Sequence, residues 1–202
     1  MRFLLFLVFS LSCDFIQANP LEQALNQRLQ AIHSMSANFT QVVHSKRHPD
    51  LRTKGNMALV RPSHFRWQTR SPSHQLLIAD GQNLSIYDKD LEQVYVRKQK
   101  NHLDGMADLF LSRDHTMLMR RFNIRSLKIG HQEVYDLSAK SSHAELTRVR
   151  LIFNGPLLMG IDMRDQLGQS TEIRLTNVRV NTKVSRDLFV MKVPHGVDVV
   201  KE

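Results

Sequence analysis

The sequence predicts a mainly antiparallel β protein with few helices, its sheet curled into a closed or partly open barrel. Three observations lead there. From Ser36 onward, apolar and polar residues alternate with a period of two over most of the chain, the spacing of strands with one covered face. Turn signals such as Asp80-Gly81, Asn154-Gly155-Pro156 and Leu167-Gly168 recur between these runs. Only one long stretch, residues 20–34, keeps a helical period instead. At 202 residues and 42% hydrophobic, the chain can bury one substantial core, and no internal repeat or interdomain linker divides it.

Residues 1–18 stand apart from that fold. Arg2 precedes the apolar run Phe3 to Phe9, and Ile16-Gln17-Ala18 ends in a small residue, the order of a secretory signal. The apolar run is well short of the roughly 20 residues a membrane span needs. Cleavage after Ala18 is expected, leaving residues 19–202 as a single exported domain. The one cysteine, Cys13, lies inside the leader, so the mature chain would have no thiol and no disulfide. The competing reading is a lipoprotein leader with Cys13 as its acylated end, but Ser10-Leu11-Ser12-Cys13 lacks the Leu expected three residues before the Cys.

Asn19-Pro20-Leu21-Glu22 begins a helix. Asn19 can cap, Pro20 suits the first helical position, and Glu22 completes a capping box. Leu21, Leu25, Leu29 and Ile32 then form an apolar stripe, with Gln27, Arg28 and Gln30 off it, so an amphipathic helix is expected over 20–34. Residues 37–43 read as a strand, followed by a polar loop through His48-Pro49-Asp50. In Gly55 to Trp67, two short strands flank the Arg61-Pro62 break. Met57 and Leu59 share one face of the first, and Phe65 and Trp67 one face of the second, with Arg66 turned away. Pro62 lacks an N–H and so marks a corner or a free edge.

Leu76 to Ala79 and Leu84 to Tyr87 form a hairpin about Asp80-Gly81, and Val94 to Val96 is a further strand. Residues 103–111 break the alternation: Met106, Leu109 and Phe110 fit one face of a short helix, with Asp104 and Asp108 on its solvent side. Residues 113–121 fit helix or strand. Beyond them strands are expected at 146–153, 157–164, 172–180, 189–193 and 197–200. In the first of these Val149, Leu151 and Phe153 oppose Arg148 and Arg150.

Little in this pattern suggests catalysis. The ten histidines show no H-E-x-x-H or Cys/His spacing, and His44 with His48 straddles a strand end where a spacing of four has no helical meaning. No G-x-S-x-G, phosphate loop or mature cysteine nucleophile is present. The net charge of +9 is spread singly along strands, which with export reads as a solvated basic outer face and not a nucleic-acid site. What remains is an apolar face with Arg61 at its corner.

Those residues carry a resemblance. Met35 to Gln41, then Gly55 to Trp67 with Arg61-Pro62 and Phe65-Arg66-Trp67, resemble the LolA family, the periplasmic outer-membrane lipoprotein carriers of Gram-negative bacteria. Leu77 to Gly81 with Leu84, Tyr87-Asp88, Gln93-Val94, and the ending 189–200 with Pro194 and Gly196 extend it along the mature chain; it is loosest over 98–145.

The resemblance implies an unclosed half-barrel covered by a helical lid, with a hydrophobic cavity for lipoprotein acyl chains. It implies a chaperone that shuttles lipoproteins from the inner to the outer membrane. Cargo would come from an inner-membrane ABC-type release complex and go to an outer-membrane receptor of similar fold. Arg61 would bond lid backbone groups and latch the cavity. The expected lining is Phe39, Met57, Leu59, Phe65, Trp67, Leu84 and Ile86; the expected lid residues are Leu21, Leu25, Leu29, Met106, Leu109 and Phe110. No catalytic residue, cofactor or metal is expected, and a monomer is. Two other readings stay open: an outer-membrane receptor, which would need a lipidated Cys13, and a periplasmic binder of another hydrophobic ligand.

Overall fold

The computed structural model describes residues 19–99 and 116–201. After the helix α1 (Pro20–Gln30) come β1 (Ser34–His44), β2 (Leu51–Val60), β3 (His64–Ser71), β4 (Gln75–Asp80), β5 (Asn83–Asp88) and β6 (Gln93–Lys98). A short helix α2 (Thr116–Arg121) then leads into β7 (Phe122–Ile129), β8 (Gln132–Ala139), β9 (Leu146–Asn154), β10 (Leu157–Asp165) and β11 (Ser170–Val180). A 3-10 turn (Arg186–Phe189) and β12 (Asp198–Lys201) end the chain.

These strands make one sheet of twelve, in the order β12-β6-β5-β4-β3-β2-β1-β11-β10-β9-β8-β7. Two meanders, β2 to β6 and β7 to β11, flank a central seam where β1 pairs with β11. The ends β12 and β7 do not meet, so the barrel is unclosed.

The register carries one set of side chains straight across the concave face. Met35, Leu59, Phe65, Ala79, Leu84 and Arg97 form one row; Ala37, Met57, Trp67, Leu77, Ile86, Tyr95 and Val200 form the next. Beyond the seam, Ile173, Ile161, Leu151 and Tyr135 continue the wall. Strand side chains alternate, so a fixed register is enough to gather the apolar set on one side.

α1 lies on that wall. Asn19 Oδ1 accepts from the Leu21 N–H at 3.0 Å, as its capping role requires. The helix stops at Gln30, short of the expected 34, because the following backbone is claimed elsewhere. Asn181 Nδ2 donates to Ala31 O at 2.8 Å, Asn181 Oδ1 accepts from the His33 N–H at 2.8 Å, and Ser34 pairs with Val60. Residues 116–121 resolve as helix, and β7 begins at once after them.

The end of the chain departs from expectation. Residues 189–193 are not a strand: Ser185 Oγ caps the 3-10 turn from the Asp187 N–H at 3.4 Å, and the segment then crosses the convex face. There Phe189, with Val184 and Met191, packs on Ala58 and Ile78 as a second small core. Having crossed, the chain reaches the far edge and β12 runs parallel to β6.

Candidate functional site

The concave wall and its cover form the candidate site. Phe39, Met57, Leu59, Phe65 and Leu84 are buried there in one continuous core, with Trp67 and Leu77 packed against it in part. Ile86 is half-buried on the same face and lines a cleft of about 190 Å³ at the sheet edge with Leu84, Tyr95, Arg97 and Val200. From α1, Leu25 and Leu29 enter the core fully buried, and Leu21 packs beside them. Met106, Leu109 and Phe110 lie outside the described residues.

Phe39 sits opposite Gly55 in the β1–β2 register. Its ring crosses β2 there and stacks on Trp67 of β3, centroids 3.7 Å apart and planes within 17°. A side chain at position 55 would forbid this: a Cβ would stand 2.6 Å from the Phe39 ring and 1.8 Å from the Gln68 carbonyl oxygen.

Arg61 leaves the β2–β3 corner and reaches the C-terminal end of α1. Its Nε donates to Ile32 O at 2.7 Å and its Nη2 to Leu29 O at 3.1 Å, while its own N–H bonds His33 O at 2.9 Å. The last carbonyls of a helix have no partner inside it and carry the negative end of its dipole, so a guanidinium suits them. Burial pushes the Arg61 pKa down to about 10, still well above neutral, so the group stays charged.

A second guanidinium ties α1 to the opposite wing, and the sequence did not single it out. Arg28 Nη1 donates to Gly155 O at 2.7 Å, its Nε to the Tyr135 hydroxyl at 3.2 Å, and its Nη2 pairs with Glu133. The group also lies 5.3 Å from the centroid of the Phe153 ring. Burial, then the Glu133 carboxylate, push the Tyr135 hydroxyl above its ordinary pKa. The sequence places Arg28 only off the apolar stripe; the fold brings β8 and the β9–β10 turn beneath it.

The chain matches, over residues 30–192, the family described as outer membrane lipoprotein carrier protein LolA. It belongs to the LolA family. A LolA relative in Legionella pneumophila (strain Paris), an outer-membrane lipoprotein carrier protein, is 45% identical over 180 residues, 89% of each chain. A relative of the same name in Pseudomonas fluorescens (strain Pf-5) is 32% identical over 203 residues, covering 100% of this chain and 98% of its own. Among solved structures, an uncharacterized conserved protein from Thermus thermophilus aligns with a TM-score of 0.57 at 10% identity, covering 89% of this chain and 98% of that one. The Pseudomonas aeruginosa MucA/MucB complex gives 0.51 at 14% identity, covering 86% and 62%. These two likenesses concern the fold.

Among the described residues, no helix of this LolA family member is long and apolar enough to cross a membrane. His44 has two acidic neighbours, Asp50 at 2.8 Å and Glu172 at 3.8 Å. No set of three or more His, Cys, Asp or Glu among the described residues could hold a metal ion.

Proposed function

We infer that the chain is a periplasmic carrier that holds lipoprotein acyl chains against its concave wall and takes them from the inner to the outer membrane. The observation that carries this reading is an apolar wall running the width of an open sheet under a short helix, in a member of the LolA family. Each methylene taken out of water is worth roughly 0.8 kcal/mol, so an acylated protein cannot cross an aqueous gap unaided. An oily wall makes transfer from membrane to carrier nearly neutral.

The empty carrier has the converse difficulty, since an uncovered wall of this size would attract other proteins. α1 covers it. At 11 residues it is too short to be stable alone, so docking holds it helical. The bonds from Arg61 act as a latch: charge-assisted hydrogen bonds of about 1.5–3 kcal/mol favour the covered state yet release it when cargo arrives. Phe39, Met57, Leu59, Phe65, Trp67, Leu84 and Ile86 receive the chains, and Leu21, Leu25 and Leu29 cover them. Cargo enters from an inner-membrane ABC-type release complex and leaves to an outer-membrane receptor.

Incubating the mature protein with lipoprotein-loaded inner-membrane vesicles tests this reading. Acylated protein should enter the soluble fraction as a one-to-one complex; lipoprotein that stays in the vesicles overturns it. Mass spectrometry should find a mature N-terminus at Asn19, whereas an acylated Cys13 would make the chain an anchored receptor.

A further inference from the structure

A trough of about 740 Å³ opens on the convex face, behind the concave wall. Its floor is low because Ser36 and Ala58 are small. They stand in one cross-strand row with Arg179 at one end and Arg66 at the other. Three strand spacings separate those arginines at the backbone, roughly 14 Å. Arg70 extends one wall, and Leu188 of the 3-10 turn, 41% exposed, rims it.

The charge of this trough is unbalanced. Elsewhere on the convex face arginines meet carboxylates: Arg148 and Arg150 pair with Asp136, and Arg174 with Asp162. Among the described residues, the trough lining holds no Asp or Glu, and no ion pair joins Arg66, Arg70 or Arg179. Arg66 is held only by neutral oxygens, donating to Leu188 O at 3.0 Å and Gln68 Oε1 at 3.1 Å. Burial and the neighbouring charge of Arg70 lower its pKa. In the next row Asn56 lines the trough, and its buried Oδ1 has no hydrogen-bond partner. A buried acceptor left unpaired is costly, which marks this floor as polar.

We propose that this trough is a docking groove for an extended acidic segment of a partner protein. Carboxylates along one side of such a segment meet Arg66, Arg70 and Arg179, and its backbone passes over Asn56. A free phosphate is too small to span cations so far apart. A flat membrane surface does not reach the floor where Asn56 lies. The groove faces away from the mouth, so a partner held there leaves the concave wall open to cargo. The inference goes beyond the carrier reading and does not depend on it.

The test is fluorescence anisotropy of the mature protein with a labelled Glu-Ser repeat peptide, whose carboxylates share one side when extended, in about 0.15 M salt. Arg70→Glu with Arg179→Glu should weaken binding at least about tenfold, and Asn56→Leu should weaken it independently. Arg125→Glu with Lys128→Glu makes the same charge change on β7 and should alter it less than about twofold. Arg66 is left intact because it holds the 3-10 turn, and Trp67 emission should be the same in every variant. In wild-type protein, nuclear magnetic resonance should show the Asn56 side-chain amide shifting on titration, which needs no variant. Phosphatidylglycerol vesicles should bind wild type and the trough variant alike. Equal loss in both charge variants, no peptide binding by wild type, or vesicle binding lost in the trough variant alone would overturn the proposal.

Discussion

Arg28 on α1 and Glu133 on β8 form an ion pair across the mouth of the half-barrel, at the wing opposite Arg61. The helix is thus fastened on both sides, by its own cation to one wing and by the corner cation of the other. Both side chains of the pair are less than a third exposed, at 31% and 24%, so solvent screens them incompletely. Arg28→Ala should cost about 1–3 kcal/mol of stability in chemical denaturation. A double-mutant cycle with Glu133→Ala should give a coupling of about 1 kcal/mol, and strictly additive losses would remove the pair from this account.

Arg61→Leu separates fastening from folding. The variant should fold and load cargo, because the oily wall is untouched. It should hand cargo on poorly, since without the bonds to Leu29 O and Ile32 O the covered, empty state no longer competes with the loaded one. Transfer from the purified complex to outer-membrane receptor is the measurement; delivery at the normal rate would refute the latch.

Gly55 should tolerate no side chain. Gly55→Ala places a methyl against the Gln68 carbonyl and the Phe39 ring, and overpacking of this kind costs about 1–3 kcal/mol. Trp67, the one Trp in the chain and the partner of Phe39, should report the displacement as a change in emission. The backbone contact is the closer of the two, so Gly55→Ala should remain destabilising in a Phe39→Ala background.

The Tyr135 hydroxyl should keep its proton above the ordinary tyrosine range. Its folded pKa lies above its ordinary value of 10.0 because burial and Glu133 disfavour the phenolate. The folded protein therefore keeps that proton longer than the unfolded chain does. The stabilisation is complete below about pH 10 and is lost as pH rises from there through the folded value. Absorbance at the phenolate band, compared between wild type and Tyr135→Phe, should assign a raised titration to this hydroxyl, and the variant's stability should fall less between neutral and strongly alkaline pH.

Much of this architecture is legible in the residues themselves. Met57, Leu59, Phe65 and Trp67 fall on one face in the sequence and in the structure, because a period of two and a fixed register leave no other outcome. Val149, Leu151 and Phe153 likewise share a face, yet their place in the same wall depends on the β1–β11 seam, a pairing between distant segments that no local pattern announces. Arg28 and Asn181 were silent for the same reason. Their partners lie more than a hundred positions away. The apolar run 189–193 matched a strand in composition, but its apolar side is spent on the convex face, where no neighbouring strand offers pairing.

The segment behind the sheet has one more consequence. Phe189 and its neighbours back β2 to β4 from the outside, in a cluster of their own, while α1 is seated in the inner one. Lifting the helix thus strips the interior of its roof but leaves the outer buttress in place. The vessel can be uncovered and covered again without being rebuilt.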